Sequence, residues 1–559
     1  MSEGAEVSVG RTAARILVDQ LVAQGVERVT CVPGESYLAV LDALLDSNID
    51  VITCRAEGGA AMMAEAYGKL TGRPGVCFVT RGPGATNASP GLHIAMQDST
   101  PMILFAGQVE RGMRHREAFQ ELDYPATFGA LAKWTVEIDR ADRIPEIVAR
   151  AFRVAMQGRP APVVISLPED MLEDMAEVAD APFVRPAETA PAPDDMAALR
   201  AQFAKASQPL VIVGGSRWSQ ASRDALVEFA GRLDLPVATE FRRAHLFPAS
   251  DAHFAGDLGI GPNPRLVDYL KGSDLILLIG GRMSEIASSS YGLLAIPQPK
   301  QTLVHVHPDP LELGRVYQPT LAINATPTAF LGAAAAIQVQ PRWAARRQAL
   351  RASYQDWSET PGRLPGEFQY GEVMAWLRER LPDDAIIANG AGNFAAWIHR
   401  YYRFRGFATQ LAPTSGSMGY GLPAGVLAKR QYPDRLVVTV AGDGDFLMNG
   451  QEFATAVHHG VALVVVLIDN GIYGTIRMHQ ERTFPGRVSA TNLTNPDFAA
   501  LARAYGGHGE TVRTTAEFAP AFERAVASGM PAIVHCHLDP QAISPTATLD
   551  QLRAAATRK

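Results

Sequence analysis

Three doubly wound parallel-sheet domains are what this 559-residue chain predicts. Short apolar runs ending in Gly, Pro or a polar turn alternate with helical stretches through most of the sequence, and such alternation builds a parallel sheet covered on both faces. Two stretches poor in apolar periodicity, 181–193 and roughly 342–368, interrupt the pattern and divide the chain into blocks. The length suffices for three ordinary domains.

In the first block, 1–182, the runs 29–32, 51–54, 75–80, 102–106 and 163–167 are strand candidates, most closed by turn-forming residues. Between them, 12–24 and 58–70 have helical spacing and helix-forming composition. The second block, 194–340, offers strands at 210–213, 237–239, 275–279 and 303–306. Residues 342–368, with Pro361 and Pro365, read as a charged and irregular connector. The last block, 368–559, opens on a helix near Tyr370 and carries strands at 385–388, 436–441, 461–468 and 532–536. The first and last blocks are expected to share an architecture, without any residue-level repeat.

Hydrophobic residues make up 47% of the chain and charged residues 19%, the composition of a soluble globular protein with ample core. A net charge of −7 with no basic cluster argues against nucleic acid or an acidic membrane surface as partner. The first residues show no charged-then-apolar leader, and no apolar run reaches membrane-spanning length. Cys31, Cys54, Cys77 and Cys536 each lie inside an apolar run, too scattered for a zinc site. Buried free thiols in a reducing compartment, the cytoplasm, are expected.

The run 436–441 delivers Gly442-Asp443-Gly444, and the run 461–468 delivers Asp469-Asn470-Gly471. Adjacent parallel strands joined by a helical crossover place Asp443 and Asn470 side by side at their C-terminal ends, where ligands bind in open α/β sheets. One carboxylate and one amide oxygen suit Mg²⁺, which keeps waters and shares its octahedron with a phosphate. The glycines admit that phosphate to the backbone, and a following helix offers its N-terminal amides. A lone Gly-Asp-Gly is a common turn; an Asn 27 positions further on, with strands before both, makes the pair specific. Elsewhere, Glu57 lies between a strand end and an Ala-rich helix. Its small neighbours leave the carboxylate little water, a setting for a group that donates and accepts protons.

The paired loops resemble the signature of the thiamine diphosphate (ThDP) enzymes, Gly-Asp-Gly followed one crossover later by a pair ending in Asn. From residue 18 to 537 the chain is similar to the acetolactate synthase group. Thr80-Arg81-Gly82-Pro83-Gly84-Ala85-Thr86-Asn87 matches its Thr-x-Gly-Pro-Gly-x-x-Asn stretch, and Ala118-Phe119-Gln120-Glu121 matches a loop leading into its active site. Ala388-Asn389-Gly390-Ala391-Gly392-Asn393-Phe394 resembles the segment flanking the diphosphate, and the run from Gly416 to Pro423 resembles its Gly-x-Met-Gly-x-Gly-Leu-Pro stretch. The resemblance implies that Asp443, the Asn470 side chain and the Ile472 carbonyl ligate Mg²⁺. Gly442, Gly444 and Asp445, with Gly392 and Asn393, would border the diphosphate. Met418 would wedge beneath a bent cofactor while the Gly416 carbonyl accepts from its 4′-amino group. Glu57 would hydrogen-bond the aminopyrimidine as the activating acid, and Gln120 would contact the substrate. Tyr473, where the family carries Glu or Gln, would stand beside the cofactor without an assigned role.

Beyond Tyr473, four places depart from the family pattern. Asp469-Asn470 replaces Asn-Asn, although the metal ligand is the second residue of the pair. Asn393-Phe394 replaces Gln-His. His479 replaces a Trp of the biosynthetic enzymes, as either an acceptor-pocket group or a solvated side chain. Met283-Ser284-Glu285 replaces the flavin segment, so FAD in the middle domain, beside Gly214-Gly215-Ser216-Arg217, Gly280-Gly281-Arg282 and His305-Val306-His307-Pro308-Asp309, stays open.

The expected activity is ThDP- and Mg²⁺-dependent decarboxylation of a 2-oxo acid, pyruvate foremost, with carboligation to a second carbonyl. The alternative is a 2-oxo acid decarboxylase or C–C lyase without carboligation. An idle paralogue serving as a binding module is the reading from another class, and intact Glu57, Asp443 and Asn470 stand against it. The family resemblance implies a homodimer or dimer of dimers with the site shared between subunits, and leaves a small regulatory subunit open.

Overall fold

The computed structural model describes residues 10–558. Residues 1–9, on which the reading of a missing leader partly rests, lie outside the described residues. The described residues up to Ala187 form one compact unit, and those from Glu188 onward form a second. The first unit holds one six-stranded parallel sheet: β1 (Arg28–Cys31), β2 (Asp50–Thr53), β3 (Gly75–Val79), β4 (Met102–Gln108), β5 (Trp134–Glu137) and β6 (Pro162–Pro168), in the order β2-β1-β3-β4-β6-β5.

The second unit holds two more. The middle sheet is β7 (Pro209–Val213), β8 (Val237–Glu240), β9 (Phe254–Leu258), β10 (Leu275–Ile279), β11 (Thr302–His307) and β12 (Leu321–Asn324), ordered β9-β8-β7-β10-β11-β12. The last sheet is β13 (Ile386–Asn389), β14 (Gln410–Leu411), β15 (Val437–Gly442), β16 (Val464–Asp469), β17 (His508–Val512) and β18 (Ala532–His537), ordered β14-β13-β15-β16-β18-β17. First and last sheets thus repeat one topology, as expected. The middle sheet has the order of dinucleotide-binding folds, with its switch point between β7 and β10.

Strands inside each sheet are buried on both faces. Every residue of β4, β10 and β15 is buried, which is why they read as unbroken apolar runs. Five strands escape that signal, and all are edges. β5 and most of β17 are half-exposed, β14 is two residues long, β9 is interrupted by Gly256, and β12 mixes exposed and buried positions.

The connector read as irregular is corrected by the structure: Ala344–Glu359 is a helix of 16 residues. Its apolar stripe is narrow, with Leu350 and Tyr354 one turn apart and Ser358 below them. Tyr354 packs edge-on against Phe254, centroids 4.9 Å apart. The charges that suggested solvent are engaged, Arg347 with Asp234 at 2.8 Å and Arg351 with the Ala249 carbonyl at 3.0 Å.

The linker at 181–193 is strapped down at its start. Gln20 Oε1 accepts the Ala181 N–H at 2.7 Å, and Gln24 Oε1 accepts the Val184 N–H at 2.9 Å. All four cysteines are buried, and none of them forms a disulfide. No helix among the described residues is long and apolar enough to cross a membrane.

Candidate functional site

β15 and β16 are paired neighbours, Gly442 opposite Ile468, so the two loops emerge together. Asp443 is buried at 4% exposure. Its Oδ1 accepts the Gly444 N–H at 2.9 Å, and its Oδ2 accepts the Gly471 N–H at 2.9 Å and Asn495 Nδ2 at 2.8 Å. The same Asn495 nitrogen donates to Asp469 Oδ1 at 2.7 Å. On its other oxygen Asp469 pairs with His535 Nε2 at 2.9 Å.

These contacts separate two carboxyl groups that face one amide. Burial pushes Asp443 up. Burial pushes Asp469 up as well, but the bonds from His535 and Asn495 outweigh it and hold the group below the usual carboxylate range. Asp469 is therefore turned toward His535. Asn470 Oδ1 takes the Ile472 N–H at 3.3 Å. Asn495 Oδ1 is buried without a partner, a spare acceptor beside the two loops. A carboxylate, a carboxamide oxygen, a backbone carbonyl and an orphaned acceptor are hard oxygen donors of the kind that fits Mg²⁺, which completes its octahedron with water and phosphate.

Asp445 builds the cradle. Fully enclosed, its Oδ1 accepts the Ala391 N–H at 3.0 Å and the Gly419 N–H at 2.9 Å. Burial pushes this carboxyl up to about 7, against the pull of those two amides. A methyl group at Gly390 would lie 2.0 Å from the same oxygen, so only glycine lets the turn close on it. One side chain thus ties the Gly-Asp-Gly turn to the turns at 390–392 and 416–419. Asn449 Nδ2 donates to the Gly419 carbonyl at 3.0 Å, completing the clamp behind half-buried Met418. Gly416, before Met418, is exposed at φ +70°.

The Phe394 ring packs beneath Gly392 and Gly442, and the Tyr473 ring covers Gly444. The Asn393 side chain is occupied, donating to the Ile543 carbonyl at 2.9 Å and accepting from Thr475 Oγ1 at 2.9 Å. Its contribution to a diphosphate would come from the backbone. The structure therefore gathers Gly392, Asn393, Gly416, Met418, Gly442, Asp443, Gly444, Asp445, Asn470, Ile472 and Tyr473 at the loops on the C-terminal edge of the last sheet. His479 is exposed on the helix Gly474–Thr483.

In the first unit, Glu57 opens the helix Glu57–Thr71 and is half-buried. Its Oε2 accepts from Asn87 Nδ2 at 3.2 Å. A methyl group at Gly84 would stand 3.2 Å from Glu57 Oε1 and 2.8 Å from Thr80 Cγ2, so the 80–87 turn closes onto the acid. Gln120 sits at φ +63°, and its carbonyl accepts the Gly82 N–H at 3.0 Å. Glu57, the turn and Gln120 therefore share one edge of the first sheet. Glu121 folds the loop: it accepts the His115 N–H at 2.7 Å and the Ala118 N–H at 3.1 Å, which hold it below the usual carboxylate range.

Asn87, Asn495 and His535 are participants that sequence reasoning did not single out. Asn87 ends a motif already noted. Asn495 precedes the helix-capping Asp497 and reads as turn chemistry, with nothing local to link it to a carboxylate 52 positions away. His535 lies within a strand whose neighbours are apolar, and only sheet pairing brings it beside Asp469.

Comparison with known proteins agrees with this geometry domain by domain. Residues 11–127 match the N-terminal TPP binding domain of thiamine pyrophosphate enzymes, 196–334 their central domain, and 390–536 their C-terminal TPP binding domain. The chain belongs to the thiamine pyrophosphate (ThDP) enzymes. Among them it is 32% identical to the acetolactate synthase isozyme 2 large subunit of Escherichia coli (strain K12), over 94% of this chain and 95% of the relative. It is also 32% identical to the acetolactate synthase large subunit of Parasynechococcus marenigrum (strain WH8102), covering 94% and 87%. The catabolic acetolactate synthase of Raoultella terrigena is 30% identical, covering 94% and 95%. It is a ThDP-dependent, acetolactate synthase-like enzyme.

Proposed function

We propose that this enzyme uses Mg²⁺ and ThDP to decarboxylate a 2-oxo acid, pyruvate foremost, and joins the remaining fragment to a second carbonyl compound. The observation that carries the reading is the Asp443–Asn495–Asp469 network beside Asn470, next to the cradle that Asp445 ties together. Similarity to acetolactate synthases over nearly the whole chain supports carboligation. Bound ThDP supplies a nucleophilic carbon and an electron sink for CO₂ loss.

The chain's own residues do the rest. Asp443, Asn470 and the Ile472 carbonyl would hold the cation. The amides of Gly444 and Asp445 would receive the diphosphate, and Met418 would support the rings. Glu57 would hold and return a proton at the aminopyrimidine, with Asn87 fixing its orientation through Oε2. Gln120 would meet the substrate. The acid of one copy would serve the cradle of a second copy in a cytoplasmic homodimer.

Product analysis with pyruvate tests the reading. Acetolactate is expected; acetaldehyde alone would make the enzyme a simple decarboxylase, the outcome that His479 in the Trp position makes worth testing.

A further inference from the structure

The middle sheet has a dinucleotide-binding order, and in such sheets a pyrophosphate rests on glycine turns at the switch point. The turns are present: Gly214-Gly215 follows β7 and Gly280-Gly281 follows β10. The space between them is filled from within. Glu240, the last residue of β8, is 8% exposed. Its Oε1 accepts the N–H of Arg282 at 2.9 Å and the N–H of Met283. A methyl group at Gly214 would lie 2.0 Å from Glu240 Oε2, and one at Gly281 would lie 2.6 Å from that oxygen and 2.7 Å from Oε1.

The carboxylate is therefore wedged between both glycines and takes the amides a phosphate would use. The turns also touch each other: a methyl group at Gly215 would fall 1.8 Å from the Gly280 carbonyl oxygen. His305 Nε2 bonds the Gly281 carbonyl at 2.9 Å and braces the second turn from the next strand. An anion in that place excludes a second anion by both volume and charge.

We propose that Glu240 is a built-in occupant of the nucleotide crevice: the enzyme works without flavin, and residue 240 decides whether the middle domain admits an adenine nucleotide. The residues present do not fit the FAD that the family resemblance left open.

The test uses the full-length enzyme loaded with ThDP and Mg²⁺. Visible flavin absorbance is read on the purified protein, and FAD and ADP are each titrated by calorimetry into wild type, Glu240→Gln, Glu240→Ala and Glu240→Thr. Wild type and Glu240→Gln, which keeps the filling shape, should carry no flavin and bind neither nucleotide. Glu240→Ala and Glu240→Thr should bind ADP or FAD at least about tenfold tighter than wild type. Retained ThDP binding in the last domain shows that a variant is folded, and two small replacements guard against one that is not. Stoichiometric flavin in the wild type, or FAD binding as tight there as in Glu240→Ala, would overturn the proposal. So would folded small variants with no gain for either nucleotide.

Discussion

Asn495 donates one amide nitrogen to two carboxylates, Asp443 at 2.8 Å and Asp469 at 2.7 Å, and Asn495→Ala removes both bonds at once. Hydrogen bonds to charged groups contribute about 1.5–3 kcal/mol each when removed from a protein interior. Asn495 is half-buried, and the two acids keep donors from Gly444, Gly471 and His535, so water restores part of the loss. The lower end applies, about 2–3 kcal/mol in all. For a domain of roughly 150–250 residues that lowers Tm by roughly 4–12 °C.

The cation should take over part of the amide's work, because a divalent ion neutralises the pair that Asn495 separates. Saturating Mg²⁺ and ThDP stabilise the folded state by mass action. The Tm difference between variant and wild type should therefore be largest without ligand and shrink with it. Scanning calorimetry on both proteins, with and without Mg²⁺-ThDP, reads this directly. An unchanged Tm in the apo variant, or an equal drop in both states, would refute the role given to this residue.

Three further outcomes follow from individual contacts. Glu57→Gln should keep ThDP binding, since the cradle proposed for the diphosphate lies in another domain, while kcat falls between about a hundred- and ten-thousand-fold; steady-state kinetics beside calorimetry separates the two. Asn393→Ala, which cuts the ties to Ile543 and Thr475, should weaken ThDP binding and increase hydrogen exchange in the helix Gly474–Thr483. Glu481 bonds Arg553 at 2.7 Å and is held down to about 2 from 4.5. A folded-state value below the unfolded one means that its stabilising share is present above about pH 4.5 and fades as the pH falls toward 2. Urea unfolding of wild type against Glu481→Gln should accordingly show a gap at neutral pH that closes in acid.

Much of this molecule was legible from its residues because parallel strands buried on both faces announce themselves as apolar runs. β10 and β15 are such cases, and the loops that follow β15 and β16 carry Asp443 and Asn470 at sequence positions that topology alone makes neighbours. Edge strands such as β5 and β17 lack that signal because solvent covers one side. The helix Ala344–Glu359 hid for a related reason: two buried apolar residues one turn apart are too narrow a stripe to stand out among paired arginines. In the site, the backbone-approach glycines and the juxtaposition of the Asp443 and Asn470 loops were readable. The network around them was not, since Asn495 and His535 act through contacts set by the folded sheet, and so does the tie that Asp445 makes to the turns at 390–392 and 416–419.

The most direct test is calorimetric titration of ThDP into the apo enzyme, with Mg²⁺ present and after chelation, for wild type and Asp443→Ala. One ThDP per chain, bound only with the divalent cation and lost in the variant, is the expected result. Tight ThDP binding that survives both chelation and removal of Asp443 would contradict it.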